Sequence, residues 1–463
     1  MIFTSFAFMV FFIVVLSVIS AVQKYKYGDR TKHYFLLCAS FFFYGWWDWR
    51  FCFLLLFVIS ASYVSALYCR KKFVFILGVA IPLAVLGVFK YYNFFMDSLG
   101  LNAFSGLHII LPVGISFYTF QSLSYVIDVR RGTIPAEKDF VRLALYVSFF
   151  PQLVAGPIVR ASDFLPQLND PSRKLTINNF CIGIQIMAVG FFKKTVLADH
   201  LSVFVDDVFR VPAAFHWATI ILAVVSYSLQ IYFDFSGYSD IAIGCAKCLG
   251  YDFVRNFNIP YISRSITEFW RRWHISLSGW LRDYLYIPLG GNRKGEFRQL
   301  INLMITMLLG GLWHGAKWTF VFWGGLNGFA LCAEKIFHSR KKDTGIFMSI
   351  LKILAVFSFI SFTWIFFRAE NFSDAWLIIR RVLTLQDGIR HPFFWTFAAL
   401  AILVISEIIA VLRAVREKLD DVTGFTPIMN LNTLNGLTVF FLFVHLILGL
   451  AFTGESPFVY FQF

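Results

Sequence analysis

The sequence is short of charge and of the usual enzyme signatures. Charged residues are 15% of its 463 residues, whereas hydrophobic residues are 58%, and this balance does not fit a set of soluble domains. It has no P-loop, no dinucleotide-binding fingerprint, no G-x-S-x-G turn and no H-E-x-x-H pair. Because ATPases, serine hydrolases and zinc proteases depend on such signatures, these classes are disfavoured.

Cysteine is also scarce. Most of the seven cysteines lie within apolar runs, so small buried thiols are a better interpretation than a disulfide framework. Cys245 and Cys248 have the spacing of metal ligands, but neither a second pair nor a histidine is close to them in the sequence. No metal site is therefore predicted.

Basic residues exceed acidic ones, and the net charge is +14. They collect in short loops near 24–32, 70–72, 340–342 and 413–418. The positive-inside rule expects this of cytoplasmic loops, so the excess does not indicate nucleic-acid binding. No basic residue precedes the first apolar run, which predicts that Met1 and Phe463 both face outside. That run lacks the basic start and the cleavage site of a signal peptide, so we expect it to be retained.

Apolar runs occur from end to end, and about 20 residues suffice to cross the hydrocarbon core. The predicted spans lie near 2–22, 34–47, 51–69, 73–92, 107–127, 140–159, 180–198, 216–235, 298–313, 317–337, 347–367, 393–412 and 436–453. Glycine and proline interrupt 112–121 and 149–157, which predicts broken or re-entrant helices that face protein rather than lipid. The sequence therefore predicts an all-α polytopic membrane protein, with one integral-membrane domain over 1–463.

The central block, 251–297, is the least hydrophobic part of the chain and is rich in arginine and aromatic residues. On a helix, Glu268 and Arg271 would be neighbours, and so would Arg271 and His274. This predicts an amphipathic or re-entrant helix near the cytoplasmic interface. Arg271, Arg272 and Arg282 could bind the phosphates of a nucleotide-type donor, and contact with anionic lipid headgroups is an equally good explanation.

His314 is the first candidate for chemistry, because ionisable groups are costly in a membrane and tend to be functional there. Small and aromatic residues surround it in the sequence: Gly310, Gly311, Gly315, Trp313 and Trp318. The glycines would leave room for a ligand, and the tryptophans could line a dry slot. A neutral imidazole there could take a proton from an attacking group, whereas a histidine satisfied by packing is the plainer alternative.

A second histidine, His274, lies in the central block. It could orient a substrate or stabilise charge, or it could simply pair with Glu268 or a lipid phosphate. Asp234 and Asp240 lie inside an apolar stretch, where a proton carrier or, more plainly, a structural ion pair is expected.

Several segments resemble one family. They include Phe269-Trp-Arg-Arg-Trp-His274, Gly311-Leu-Trp-His314-Gly-Ala and residues 111–121, 150–157, 233–240, 281–293 and 457–463. The chain is similar throughout to the membrane-bound O-acyltransferase family, and most of all to its bacterial branch of alginate and peptidoglycan O-acetyltransferases. The family's catalytic histidine corresponds to His314, and the histidine of its Trp-Arg-Arg-Trp-His segment corresponds to His274.

The resemblance implies a helical bundle with re-entrant helices and a central funnel in the bacterial inner membrane. It implies that an acetyl group is taken from a cytoplasmic thioester, with acetyl-CoA as the donor and no permanently bound cofactor. The acetyl group is then passed outward, usually to a periplasmic SGNH-type acetyltransferase that modifies a polysaccharide such as alginate, cellulose or peptidoglycan. Membrane lipids are further partners. D-alanyl transfer to teichoic acid and transport of a lipid-linked anionic substrate stay open as alternatives.

The last residues are unusually aromatic. Phe458 to Phe463 follow the final predicted span, and an exposed tail is rarely so rich in rings. The rings could anchor at the membrane interface. Alternatively, the hydroxyl of Tyr460 could accept the acyl group as a short-lived ester while His314 removes its proton.

Overall fold

The computed structural model describes residues 1–101, 109–154, 156–337, 345–391, 393–417 and 429–454, and the regular elements in these ranges are helices. They are α1 Phe6–Lys24, α2 Asp29–Gly45, α3 Arg50–Leu67, α4 Lys72–Leu86, α5 Tyr92–Ser98, α6 Ile115–Arg131, α7 Phe140–Ser148, α8 Phe150–Leu153, α9 Ala161–Asn169, α10 Ile177–Phe191, α11 Asp199–Arg210, α12 Trp217–Cys248, α13 Ile266–Arg272, α14 Ile275–Leu281, α15 Glu296–His314, α16 Trp318–Phe337, α17 Ile346–Arg368, α18 Phe372–Leu383, α19 Phe394–Glu417 and α20 Leu434–Leu450. Wider π-helical turns cover Gly87–Tyr91, Phe192–Ala198 and Arg282–Tyr286, and short 3-10 turns cover Pro212–Ala214 and Pro260–Ile262. The all-α prediction is confirmed.

Six of the helical segments are long and apolar enough to cross a membrane. They are Phe6–Lys24, Arg50–Leu67, Lys72–Ser98, Ile177–Arg210, Trp217–Cys248 and Ile346–Arg368. Each of them coincides with a predicted span, so the prediction of a multi-pass membrane protein is confirmed. Some of the other predicted spans correspond to shorter helices, such as α2 and α6, which have 17 residues each.

The helices break where glycine and proline predicted a break. Gly114 precedes α6 with φ +74, and a Cβ at this position would lie 2.2 Å from the Leu153 carbonyl oxygen. Glycine is therefore required both for the backbone conformation and for the close approach. The predicted span at 140–159 is divided into α7 and α8 by Phe149, whose ψ is 115. Most side chains of α6 are buried in protein, which confirms that this interrupted region faces the interior.

Contacts divide the chain into two compact units. The first consists of Met1–Phe191, Tyr238–Val254 and Thr426–Leu442, and the second of Phe192–Gly237, Arg255–Phe425 and Phe443–Phe463. The long helix α12 contributes its first part to the second unit and its last part to the first. The expectation of a single domain over 1–463 stays a prediction.

The basic loops of the first unit meet at one end of it. The Lys32 ammonium donates to the Arg173 carbonyl at 2.8 Å, and Arg130 donates to the Arg70 carbonyl at 2.9 Å. The Tyr63 hydroxyl donates to the Lys138 carbonyl at 2.7 Å, beside a cleft of about 940 Å³ that Arg30 also lines. The two basic loops near 24–32 and 70–72 thus lie on the same side, as the positive-inside rule requires.

Candidate functional site

His314 is placed in the second unit by a helical hairpin. It is the last residue of α15, and Gly315 continues in an extended conformation with φ −164 and ψ 152. The chain then turns back into α16. A Cβ on Gly315 would lie 2.2 Å from the ring of Phe320, so the turn closes against this ring and leaves His314 only 5% exposed.

The two helices of the hairpin touch through their glycines. A Cβ on Gly311 would lie 2.2 Å from the Phe320 carbonyl oxygen, and one on Gly324 would lie 2.3 Å from the Met307 carbonyl oxygen. Small residues allow helix backbones to approach this closely. The interpretation of Gly311 and Gly315 as room for a ligand is therefore wrong, because Phe320 occupies the space beside both of them.

Gly324→Ala is expected to lower both stability and activity. Its Cβ would collide with backbone, which cannot move away cheaply, and such overpacking costs about 1–3 kcal/mol of folding free energy. The neighbouring Gly325→Ala is a matched control, since its Cβ would meet only the Leu308 side chain at 3.4 Å. Thermal unfolding of the two purified variants in detergent checks this, and equal melting temperatures would show that the close approach is unimportant.

His274 lies at a break between two short helices. Helix α13 ends at Arg272, and His274 itself has a left-handed conformation with φ 43 and ψ 56. The Asn256 carbonyl accepts a hydrogen bond from the Ile275 N–H at 2.8 Å, and the Asn256 amide accepts one from Ser276 Oγ at 2.6 Å. The predicted continuous helix with Arg271 and His274 as neighbours is therefore wrong. A left-handed conformation is uncommon in a residue with a side chain, and residues held in this way cluster at active sites and ligand-binding sites.

The two histidines come together in an aromatic box. Their ring centroids are 6.5 Å apart, and Trp313 contacts both rings, at 6.0 Å from His274 and 5.0 Å from His314. The edge of Phe235 packs on His274 at 4.6 Å, and Trp323 packs on His314 at 5.2 Å. The predicted slot thus contains Trp313. Trp318, which was also expected to line it, is 57% exposed.

The environment of His274 keeps it neutral. It is 1% exposed, and burial lowers the pKa of His274 to about 3, because an imidazolium is costly in a dry site. Neither ring nitrogen makes a hydrogen bond within the described residues. A neutral imidazole has one N–H donor and one acceptor nitrogen, so His274 can offer both to a substrate.

Glu268 is not the partner of His274. Its carboxylate accepts Arg272 at 3.0 Å, and it also accepts the backbone N–H of Arg264 at 2.9 Å. The simple alternative of a His274–Glu268 pair is thereby excluded. The same contacts show that Glu268 caps and braces α13 rather than taking part in proton transfer with the histidines.

The three predicted donor-binding arginines differ in their surroundings. Arg272 is paired with Glu268, and Arg282 is paired with Asp283 at 2.6 Å. Arg271 is exposed and has no ion pair within the described part of the chain. Of the three, Arg271 is the one whose charge is most available to a phosphate group.

A buried lysine in the second unit escaped the sequence reasoning. Lys194 Nζ lies 2.7 Å from Asp199 Oδ1 and 2.7 Å from Asp234 Oδ1. The expected ion pair of Asp234 thus exists, with a lysine as its partner. A lysine inside the apolar stretch of 177–210 was the signal that could have identified it. Tyr460, the remaining predicted site residue, lies outside the described residues.

Comparison with known proteins agrees with these motifs. The chain matches the membrane-bound O-acyltransferase family over residues 134–373, a range that contains both histidines. It is similar to the "Probable alginate O-acetylase AlgI" of Pseudomonas putida, with 40% identity over 95% of this chain and 96% of that protein. The protein of the same name from Pseudomonas aeruginosa is 45% identical over 76% of this chain and 70% of its own length. The "Peptidoglycan O-acetyltransferase" of Helicobacter pylori is 38% identical over 79% of this chain and 76% of its own length.

Proposed function

Because this chain belongs to the membrane-bound O-acyltransferase family, we propose that it takes acetyl groups from a cytoplasmic thioester and relays them across the inner membrane. The donor is acetyl-CoA, and the final acceptor is a hydroxyl group of an extracytoplasmic polysaccharide. The observation that carries the proposal is the buried pair of His274 and His314, with 6.5 Å between ring centroids. The names of the similar proteins, alginate O-acetylase and peptidoglycan O-acetyltransferase, support acetyl over D-alanyl transfer.

In the first step, His314 acts as the general base. It removes the proton from the Tyr460 hydroxyl, whose ordinary pKa near 10 makes it a poor nucleophile without a base. The phenolic oxygen bonds to the thioester carbonyl carbon, the carbon–sulfur bond breaks, and the leaving thiolate takes the proton back from His314. The products are an acetyl-tyrosine ester and the free thiol of CoA.

His274 stabilises the charge that develops on the carbonyl oxygen. A neutral imidazole that is fixed by its surroundings can donate its N–H to this oxygen, and preorganised donors in a dry site are effective at this task. In the second step, an acceptor hydroxyl attacks the tyrosine ester, takes the acetyl group and returns a proton to the Tyr460 oxygen. The tyrosine is then ready for another cycle.

The acceptor side of the relay is periplasmic in this proposal. Both ends of the chain face the periplasm, where an SGNH-type acetyltransferase collects the acetyl group and passes it to the polysaccharide, and the surrounding lipids hold the chain in the membrane. The basic end of the first unit, with Arg30, Lys32 and Arg70, supports a cytoplasmic orientation of those loops. The test is the O-acetyl content of purified surface polymers from cells with and without this protein. Unchanged O-acetyl content would contradict the proposed acceptor.

The arginines bind the phosphates of the donor. Neutralising Arg271, Arg272 and Arg282 together is expected to raise the KM for acetyl-CoA at least about fivefold, since each exposed charge contact contributes up to about 1 kcal/mol. The effect should shrink as salt increases, because exposed charges are screened. Among the single variants, Arg271→Gln should have the largest effect.

The control is Arg210→Gln, which removes an arginine side chain that is 77% exposed. Initial rates at several concentrations of acetyl-CoA and of salt measure both effects. If the triple variant and the control have the same KM, the three arginines contact lipid headgroups instead.

A further inference from the structure

The stretch that directly precedes α11 is a π-helical turn that contains a buried charged side chain. The turn covers Phe192–Ala198 and lies inside the membrane-spanning segment Ile177–Arg210. Lys194 projects from it, is 1% exposed as a residue, and has both Asp199 and Asp234 within 2.7 Å. Short π-helical turns inside α-helices are rare and recur at functional sites, and a buried lysine persists only where it is paired.

This turn holds the segment that follows α20. The Thr195 carbonyl oxygen accepts a hydrogen bond from the Phe452 N–H at 2.9 Å. The His200 ring stacks on Trp395 at 4.1 Å and meets the Phe452 ring at 5.4 Å. The last described residues of the chain, up to 454, therefore leave the fold from a point fixed by backbone and aromatic contacts.

The same ion pairs connect the turn to the candidate site. Asp234 lies on α12 and is followed directly by Phe235, whose ring edge packs on His274 at 4.6 Å. Successive residues of one helix turn thus reach the Lys194 ammonium and the His274 ring. A shift of the π-helical turn would be transmitted to α12 through the ion pair between Lys194 and Asp234, and Phe235 would move with it.

We propose that Lys194 is a positioning residue: its ion pairs with Asp199 and Asp234 hold the π-helical turn that anchors Phe452, and so fix the start of the segment that carries Tyr460 relative to the histidines. This rests on the proposed acetyl relay through Tyr460. Lys194 touches neither donor nor acceptor. It acts by holding the backbone at Phe452, from which the chain continues in sequence to Tyr460.

Lys194→Met keeps most of the length of the side chain and removes its charge. We expect acetylation of Tyr460 to slow by about a hundredfold, the scale of a displacement of about 1 Å between reacting groups, while the KM for acetyl-CoA is unchanged. Lys194→Arg, which keeps the charge, should recover part of the rate. Lys193→Met is the matched control, because it removes a charge from the same turn and leaves both ion pairs to Asp199 and Asp234 in place.

A tether distinguishes positioning from general damage. The double variant T195C/F452C is prepared in a background in which the accessible cysteines Cys38, Cys52, Cys181 and Cys332 are serine, and the new pair is joined by a short bis-maleimide. The hydrogen bond between Thr195 and Phe452 joins backbone atoms and survives both substitutions, so the cross-link adds a covalent tie between the same two segments. In combination with Lys194→Met it should restore most of the lost rate of Tyr460 acetylation, which a misfolded protein could not do.

The outcomes separate this proposal from the relay itself. Equal rates of Tyr460 acetylation in wild type and Lys194→Met would overturn the positioning role, and so would a failure of the cross-link to restore the rate. If the wild-type protein never acetylates Tyr460, the relay is wrong. In that case, the yield of the T195C–F452C cross-link tests whether Lys194 holds the π-helical turn next to Phe452. A lower yield in Lys194→Met supports this role, and an unchanged yield overturns it.

Discussion

The His314→Ala variant is expected to transfer acetyl groups at least about a hundredfold more slowly than wild type, which is the low end of what a general base contributes. The imidazole is 5% exposed and is enclosed by Trp313, Trp323 and Phe367. In the proposed mechanism the tyrosine hydroxyl cannot lose its proton unaided at neutral pH. The rate is measured as labelled acetyl transferred from acetyl-CoA to polymer in membrane vesicles.

His33→Ala is the matched control for this variant. His33 is also buried, at 7% exposed, but it belongs to the first unit and has no place in the mechanism. Its transfer rate should stay close to that of wild type when both variants are present in the membrane in equal amounts. Near-wild-type transfer by His314→Ala would show that His314 is not the general base.

Tyr460→Phe is expected to abolish O-acetylation of the polymer. The substitution keeps the aromatic ring and removes the hydroxyl, so an anchoring role in the interface would survive it while the covalent relay would not. In the proposed relay, loss of this hydroxyl leaves the acetyl group without a carrier between the cytoplasmic thioester and the periplasm. The O-acetyl content of purified surface polymer measures the loss.

Tyr460→Trp provides the corresponding control for the ring. Tryptophan is at least as good an interfacial anchor as tyrosine but has no hydroxyl, so it should fail as completely as phenylalanine. Wild-type O-acetylation by either variant would show that the ring, and not the hydroxyl, is what the protein needs.

Sequence reasoning singled out both histidines as candidates, because ionisable residues among apolar ones are conspicuous and membrane burial makes them costly. It could not foresee how they meet. His274 reaches His314 because the backbone leaves the helix after Arg272 and adopts a left-handed conformation, which is uncommon for any residue other than glycine. A regular helix was therefore the wrong expectation for this segment.

The glycines in the sequence marked an unusual segment, but the sequence did not show that they serve helix packing rather than ligand binding. Gly311 and Gly324 lie where two helices cross at van der Waals contact, and a single sequence does not show which partner helix fills the space beside a glycine. Likewise, six spans were evident from length and hydropathy, whereas α7 and α8 arise from a local break at Phe149. Lys194 was overlooked because one of its two carboxylate partners, Asp234, lies on α12, far from it in sequence.

The most direct test of the relay is to catch the acetyl group on the chain. Purified protein in lipid vesicles is mixed with isotopically labelled acetyl-CoA, quenched with denaturant within one turnover, digested and examined by mass spectrometry. The mechanism predicts one labelled acetyl group on Tyr460 in wild type and none in His314→Ala. Transfer of label to polymer by a wild-type chain that never carries label, or equal labelling of Tyr460 in His314→Ala, would contradict it.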